Sequence, residues 1–335
     1  MWYNDRQMSG RIGSYGMDCV SIDVKGASMK GIIIKGVGGL YTVLAEDGKR
    51  YFCRARGHFR HAEITPTVGD RVQILIHDES EKRKEGGCTI ESIDERKNLL
   101  IRPPVSNIDI LFAVVAAKSP EPNLLNLDKL LCIAEHNGIE PAVIISKSDL
   151  DGGKAEELAA IYRQSGFDTC IKKDGDCEET KTFVFDRIEG KTAVFSGASG
   201  VGKSTLINML FPQLRIETGS VSEKNERGRH TTRHVELFPL EELTEGKLSG
   251  FVADTPGFSM LDFLRFDFFT KDELPYTFRE FVPLLPFCRY NGCTHTGDED
   301  CAVLTAFEEG KIPPSRYESY KYLYQELKSK PTWKK

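Results

Sequence analysis

A glycine-rich run of nine residues constrains this 335-residue chain more than any other feature. The run is Gly197-Ala198-Ser199-Gly200-Val201-Gly202-Lys203-Ser204-Thr205, and it lies between an apolar stretch (192–195) and a helical one (206–210). The spacing G-x-x-x-x-G-K-S/T lets consecutive backbone N–H groups point at a phosphate, in conformations that a Cβ would block. The positive end of the following helix adds to this attraction. The context predicts a nucleotide-binding P-loop; the alternative is a glycine-rich turn without a ligand.

Residues inside and beyond this loop are predicted to act on the phosphates. Lys203 would reach the β- and γ-phosphate oxygens, and the Ser204 hydroxyl would ligate Mg²⁺. A later apolar strand ends in Asp254-Thr255-Pro256-Gly257. There Asp254 would hold Mg²⁺ through water, and the Gly257 N–H would contact the γ-phosphate. A P-loop protein requires such an acidic strand end, although D-x-P-G also forms an ordinary β-turn.

The base of the nucleotide is predicted to bind at an earlier strand end. Residues 108–145 show the strand, helix, strand pattern of a parallel sheet and end in Ser146-Lys147-Ser148-Asp149-Leu150. Ligands bind at the carboxyl ends of such strands. Asp149 can accept hydrogen bonds from both N–H donors of guanine, whereas adenine would leave the carboxylate unpaired. A strand-to-helix turn with an Asp cap is the alternative.

Short β-type runs separated by glycine turns fill residues 30–95 and predict a small closed barrel of the OB-fold type. Basic and aromatic residues interleave over 49–61, which on a barrel face would grip a phosphate backbone and stack bases. The residues predicted to bind RNA are Arg50, Arg54, Arg56 and Arg60. The alternative is a solvated strand whose aromatic side chains fill the barrel. Two prolines at the end of 99–104 predict a linker to the next unit.

Four soft metal ligands lie within fourteen residues near the C-terminus: Cys288, Cys293, His295 and Cys301. Three thiolates and an imidazole complete a tetrahedral Zn²⁺ shell, so this site would be structural. Four unrelated buried side chains are the alternative. The odd count of nine cysteines, with one tight cluster, favours a reducing compartment over a disulfide framework. A helix predicted over 315–328 follows, and the Lys/Arg-rich region 311–335 is either solvated or a surface for a nucleic-acid backbone.

The composition describes a globular protein, with 28% charged and 40% hydrophobic residues. No apolar run is long enough for a membrane span, and residues 1–16 lack the apolar core of a signal peptide. We therefore expect a cytoplasmic protein without a membrane partner. The net charge of −5 argues against wholesale electrostatic binding to nucleic acid, although charge can be distributed unevenly.

The order of the motifs is the most informative feature of the chain. The base motif at 146 precedes the P-loop at 197, Thr231-Thr232 and the D-T-P-G motif at 254, whereas in ordinary small GTPases it follows them. Together with C-R-Y-N-G-C-T-H-T-G-D-E-D-C at 288–301, this order resembles the bacterial RsgA (YjeQ) family of circularly permuted, ribosome small-subunit-dependent GTPases, over about residues 30–328.

The resemblance implies a multidomain fold. An extension (1–28) would precede an N-terminal OB-fold β-barrel (29–98), a central circularly permuted α/β P-loop GTPase domain (99–267) and a mostly helical zinc-binding C-terminal domain (268–335). The implied protein hydrolyses GTP to GDP and phosphate, binds the 30S subunit late in its maturation, contacts 16S rRNA and is stimulated by the ribosome. Its implied cofactors are Mg²⁺ with GTP and one structural Zn²⁺, and we expect a monomer.

The residues assigned to GTP are Ser146, Lys147, Ser148 and Asp149 with the nine P-loop residues Gly197, Ala198, Ser199, Gly200, Val201, Gly202, Lys203, Ser204 and Thr205. Two alternatives from other classes stay open. One is an ATP-dependent P-loop enzyme that acts on nucleic acid. The other is a non-catalytic RNA-binding scaffold that a nucleotide merely stabilises.

The chain departs from the family pattern at two places. The base motif usually opens with Asn, whose side chain contacts the guanine ring edge and the nearby loop, but here it opens with Ser146. The Ser-Ala loop that helps to seat the base is not visible, and residues 171–175 occupy about its place.

Hydrolysis also needs a group that the expected position does not supply. Phe258 follows D-T-P-G, where many GTPases carry a water-orienting Gln, so we expect slow intrinsic hydrolysis. The polar loop 228–233 is predicted to complete the site, with Thr232 on Mg²⁺ and the γ-phosphate and His230 on the attacking water. Contact of His230 with rRNA or solvent is the alternative. The predicted catalytic set is His230, Thr232, Lys203 and Gly257.

Overall fold

The N-terminal part of the chain forms a closed five-stranded barrel, as the sequence predicts. The computed structural model describes residues 27–57, 59, 64–77, 87–101, 104–173, 175, 178–214, 235–254 and 269–329. The barrel strands are β1 (Ala27–Val37), β2 (Leu40–Ala45), β3 (Arg50–Ala55), β4 (Arg71–Ile76) and β5 (Cys88–Ile93). They pair in the order β1-β2-β3-β5-β4, and β4 returns to β1, so the barrel closes. Alternation sends one face of each strand inward, which leaves Arg50, Phe52 and Arg54 of β3 exposed.

The linker predicted over 99–104 is instead a packed hairpin. Strand β6 (Leu99–Ile101) pairs antiparallel with β7 (Pro104–Ser106). Leu100 and Val105 are buried, and Val105 bridges to Val68 beside the barrel. The linker prediction was wrong because Pro104 stands at the first residue of a strand, where its missing N–H is tolerated.

The central part is a parallel sheet covered by helices on both faces. Parallel strands run in the order β10-β9-β8-β11-β13, and β12 joins β13 antiparallel. The strands are β8 (Ile110–Ala116), β9 (Glu140–Ser146), β10 (Asp168–Ile171), β11 (Lys191–Ser196), β12 (Glu236–Pro239) and β13 (Gly250–Asp254). The helices are α1 (Leu124–His136), α2 (Gly152–Gln164), α3 (Glu178–Ile188), α4 (Lys203–Leu210) and α5 (Leu240–Leu243).

Two apolar cores lie on opposite faces of this sheet. Helices α1 and α2 cover one face, and α3 and α4 cover the other. All seven residues of β8 are buried, as expected for a central strand that is covered on both sides. This arrangement gathers the carboxyl ends of the parallel strands at one edge of the sheet.

The barrel is joined to the parallel sheet by direct strand pairing. Lys35 of β1 lies opposite Glu236 of β12, and its ammonium donates to the Glu236 carboxylate at 2.6 Å. Arg50 of β3 pairs with Glu242 of α5 at 2.6 Å. Within the described residues the two units therefore share one eleven-stranded sheet.

The C-terminal part is mostly helical and packs on α1. It contains two 3₁₀ turns (Leu274–Thr277 and Leu285–Phe287), α6 (Ala302–Glu308) and α7 (Pro314–Ser329). The fully buried Arg316 of α7 donates to Asp128 of α1 at 2.7 Å and to Glu280 at 2.7 Å. Burial raises the pKa of Asp128, and the charge of Arg316 opposes that rise. None of the helices in the described segments has the length and apolar character needed to cross a bilayer.

Candidate functional site

The P-loop connects β11 to α4 in the strand, loop, helix arrangement that its sequence requires. Its first glycine, Gly197, is buried against β8, and a Cβ there would collide with the Val114 carbonyl oxygen. Gly200 and Gly202 have positive φ angles of 81° and 89°, which other residues adopt at a cost. The loop therefore needs its glycines for both space and backbone conformation.

The loop lysine lies across its own loop. The Lys203 ammonium donates to the Gly197 carbonyl at 3.3 Å, and Lys203 and Ser204 are half-buried at the start of α4. Lys203 is therefore close to the position where the loop N–H groups would hold a phosphate. Thr205 is exposed one residue further along the helix.

Ser146 brings the base motif to the P-loop, although the two are far apart in the chain. It ends β9, is only 2% exposed, and donates through its hydroxyl to the Val201 carbonyl at 2.6 Å. The Val115 carbonyl lies at 3.2 Å from the same hydroxyl. In the family that the sequence resembles, the usual Asn contacts a nearby loop; the structure shows that the shorter Ser146 makes such a contact too.

The next residues of the base motif are tied down by main-chain carbonyls. Lys147, whose φ is 55°, donates through its ammonium to Ser119. The Ser148 hydroxyl donates to the Lys172 carbonyl at 2.8 Å, which brings the segment after β10 beside the motif. Asp149 is exposed, and its carboxylate makes no hydrogen bond or ion pair within the described residues. The structure thus leaves accessible the carboxylate that the sequence predicts to select guanine.

The remaining nucleotide residues are placed only in part. Strand β13 runs beside β11, with Ala253 opposite Val194, so its end reaches the same sheet edge as the P-loop. The side chain of Asp254 lies outside the described residues, as do Gly257, His230 and Thr232. Their roles stay predictions from the sequence.

A mostly apolar cavity of about 240 Å³ lies beside the P-loop. Its walls include Val114, Leu127 and Leu130, with Ala198 and Ser199 of the loop at one side. Most side chains that line it are apolar and offer few donors to an anion, so the loop stays the predicted phosphate site.

The four predicted metal ligands converge in the C-terminal part. The ligand atoms of Cys288, Cys293, His295 and Cys301 all lie within 4.8 Å of one another. Sγ of Cys288 lies 3.6 Å from Nδ1 of His295 and 4.0 Å from Sγ of Cys301, and that Nδ1 lies 3.4 Å from Sγ of Cys301. A tetrahedron built with zinc–ligand bond lengths has edges of about 3.6 Å (S···N) and 3.8 Å (S···S). The donor set and its spacing therefore fit a four-coordinate metal ion.

Burial shifts the pKa values of two of these ligands, His295 and Cys293. It lowers the pKa of His295, against the opposing charge of Asp298, and so favours the neutral imidazole that binds metals. It raises the pKa of Cys293 to about 12, so metal binding must displace a proton from this thiol.

Helix α7 supports the metal-ligand loop through two tyrosines that the sequence did not single out for this role. The Tyr317 hydroxyl donates to the His295 carbonyl at 2.9 Å, and the Tyr320 hydroxyl donates to the Thr294 carbonyl at 2.8 Å. Their spacing of three residues placed them on one helix face, but their partners could not be read from that spacing.

The arginines predicted to bind RNA differ in whether they form ion pairs within the described residues. Arg50 is engaged by Glu242, and Arg56 by Glu91 at 2.7 Å. Arg54 is exposed on the same face as Phe52, which is 59% exposed. Arg60 lies outside the described residues. An exposed phenylalanine beside a cation is the kind of surface on which an unpaired base can stack.

A P-loop and a guanine-type base motif that meet at one sheet edge in permuted chain order define a circularly permuted P-loop GTPase, here with a barrel before it and a Cys/His metal cluster after it. Comparison with known proteins confirms the family resemblance. The RsgA GTPase model matches residues 93–264, and the RsgA N-terminal domain model matches residues 30–83. The chain belongs to the RsgA GTPase family.

Similar proteins cover nearly the whole chain. The small ribosomal subunit biogenesis GTPase RsgA of Agathobacter rectalis is 41% identical over 316 residues, covering 90% of this chain and 99% of that protein. The protein of the same name from Geobacillus thermodenitrificans is 42% identical over 305 residues, covering 90% and 98%.

Solved structures agree. The crystal structure of YloQ, a circularly permuted GTPase, has a TM-score of 0.71 and 34% identity, covering 92% of this chain and 98% of that one. YjeQ from Thermotoga maritima also has a TM-score of 0.71, with 31% identity, covering 91% and 100%.

Proposed function

We propose that this protein hydrolyses GTP, binds the 30S ribosomal subunit, assists its late maturation and is stimulated by it. The hydrogen bond of 2.6 Å from Ser146 to Val201 carries the proposal, because it joins the base motif to the P-loop in one site. The relatives named above as small ribosomal subunit biogenesis GTPases support the choice of partner. The cytoplasm, where ribosomal subunits mature, is the expected location.

Each part of the nucleotide has a proposed set of contacts. Asp149 selects guanine, the N–H groups of 197–205 hold the phosphates, and Lys203 contacts the β- and γ-phosphate oxygens. Magnesium would neutralise charge that develops on these oxygens, and its proposed ligands are Ser204, Thr232 and, through water, Asp254. The Gly257 N–H would contact the γ-phosphate, and His230 would orient the attacking water.

The flanking parts of the chain are proposed to serve the ribosome. Residues 29–98 would bind 16S rRNA through Phe52 and Arg54, residues 99–267 would hydrolyse GTP, and residues 268–335 would hold one structural zinc ion. Zinc is preferred among metals because three thiolates and one imidazole in a tetrahedron suit it. We propose that the protein acts as a monomer.

GTP turnover with and without purified 30S subunits tests this function. We expect slow turnover by the protein alone and faster multiple turnover with the subunits. A rate that does not change with 30S subunits would contradict the ribosome-dependent role. If turnover never exceeds one GTP per protein, the site is that of a nucleotide-stabilised scaffold, and if ATP competes as well as GDP for labelled nucleotide, an ATP-dependent enzyme is indicated.

Asp149→Asn tests the placement of the base. The variant should lose at least about 10²-fold in GTP affinity and shift its preference to XTP, whose ring presents an acceptor and a donor that suit an amide. Asp151→Asn is the matched control, because Asp151 caps α2 through the Lys154 N–H and has no role in base recognition. If Asp149→Asn ranks GTP, XTP and ATP as the parent does, the base binds elsewhere.

A further inference from the structure

Each of the first three side chains of the base motif donates a hydrogen bond to another part of the chain. Ser146 donates to the carbonyl of Val201, Lys147 to that of Ser119 and Ser148 to that of Lys172. Each of these acceptors belongs to another part of the GTPase domain. The three side chains therefore shape the site by linking its loops, and neither serine keeps a second proton for a bound base.

Ser146 limits how the base can be recognised, because its side chain has few protons to donate. A hydroxyl has one proton, and this one lies on the 2.6 Å hydrogen bond to Val201. The side chain is 2% exposed, so the protein's own atoms already surround it. An Asn at this position would carry two N–H groups and could satisfy a carbonyl of the P-loop while donating a second hydrogen bond to a ligand.

The two edges of guanine make different demands on such a site. The N1–H and the exocyclic amine are donors, and the exposed Asp149 carboxylate can accept from both. N7 on the opposite edge is an acceptor without a proton, so only a donor can recognise it. The base motif offers an acceptor for the first edge, but Ser146 and Ser148 have no proton left for N7. The ammonium of Lys147, which has three N–H groups, is held at the Ser119 carbonyl.

We infer that this protein recognises guanine through the N1 and N2 edge and does not read N7, because the single proton of Ser146 is given to the P-loop. The inference rests on the proposed placement of GTP at 146–149. Ser146 is then a positioning residue. Because it is a serine and not an asparagine, only the N1 and N2 edge of the base is recognised. We therefore expect the site to bind guanine nucleotides that are altered at position 7 without added bulk.

Competition binding with GDP and 7-deaza-GDP, in which a C–H replaces N7, tests the inference. In the parent the two dissociation constants should agree within about twofold. In Ser146→Asn, GDP should bind about fivefold more tightly than 7-deaza-GDP, the ratio that corresponds to a hydrogen bond worth about 1 kcal/mol. Ser165→Ala is the matched control, since it removes a buried hydroxyl that donates to the Ile161 carbonyl outside the base motif, and it should leave the ratio of the parent unchanged.

The outcomes separate this inference from the placement of the nucleotide. A parent that binds 7-deaza-GDP at least fivefold more weakly than GDP reads N7, and the inference is then wrong. A ratio near one in Ser146→Asn would show that the residue at 146 does not control recognition of N7, which also overturns it. Failure of Asp149→Asn to prefer XDP over GDP would instead show that the base site itself is misplaced. The measurement on the parent protein does not depend on whether any variant folds.

Discussion

Replacing Arg316 by Met is expected to release the C-terminal helix α7 from the GTPase domain. Arg316 is fully buried and bonds two carboxylates, Asp128 (0% exposed side chain) on α1 and Glu280 (4%). Its guanidinium also lies 4.5 Å from the centre of the Phe278 ring. Methionine would fill much of the volume but leave both carboxylates buried without a cation.

The expected cost follows from that burial. Removing one partner of a buried ion pair typically destabilises by about 3–5 kcal/mol, because the remaining charge has lost its compensation. A change of this size raises the rate of opening-limited amide exchange by about 150- to 5,000-fold. The exposed pair between Arg289 and Asp300, at 2.7 Å with side chains 55% and 64% exposed, should contribute less than about 1 kcal/mol. Arg289→Met is therefore the matched control.

Hydrogen exchange followed by mass spectrometry, on peptides from α1 and α7, measures the effect locally. The reasoning is refuted if exchange in α7 rises less than tenfold in Arg316→Met, since the buried pair would then contribute no more than a surface one. Replacing Arg316, Asp128 and Glu280 together by apolar residues should restore most of the protection, because no uncompensated charge then remains. If the triple variant is no better protected than Arg316→Met, lost packing and not buried charge explains the change.

Three further predictions concern the metal, the barrel and the hydrolytic step. Elemental analysis should find one zinc ion per chain in the parent and substantially less in Cys293→Ser, with nucleotide binding largely kept; zinc retained in full would exclude Cys293 as a ligand. Phe52→Ala should weaken binding to 30S subunits by about 5- to 150-fold through loss of base stacking, whereas Tyr322→Ala, which alters a 56% exposed aromatic on α7, should not; equal effects of the two would remove the stacking role. His230→Ala should bind GTP and the 30S subunit as the parent does but lose most subunit-stimulated turnover, and unchanged stimulation in a turnover assay would assign the role to another group.

Local spacing explains why several features were predictable. The P-loop, the D-T-P-G run and the Cys/His cluster are each contained in a short segment, so the residue types and their spacing are enough to predict their chemistry. Exposed and less exposed residues alternate along β3 because one face of the strand is covered, whereas β8 is apolar throughout because both of its faces are covered. The permuted order is also a property of the sequence alone, and it was sufficient to indicate the family.

Weak or irregular patterns hid other elements. Strand β10 and helix α3 lie within residues 165–189, which show little periodicity, because α3 buries only Thr180, Val184 and Ile188, a narrow stripe. The proline-containing segment after the barrel was interpreted as a linker because proline lacks an N–H, yet its flanking residues form β6 and β7. In both cases contacts with distant parts of the chain outweighed a weak local preference.

The composition of residues 1–335 could not indicate which partners the polar side chains choose. Ser146 meets Val201 across 55 positions of the chain, Arg316 meets Asp128 across 188, and Lys35 meets Glu236 across 201. A hydrogen bond or ion pair between such distant residues produces no period and no motif. The sequence by itself determined the kinds of site and their order along the chain. Only the tertiary structure decided that a serine proton is given to the P-loop and that a buried arginine fastens the C-terminal part to α1, because both depend on which atoms the fold brings within hydrogen-bonding distance.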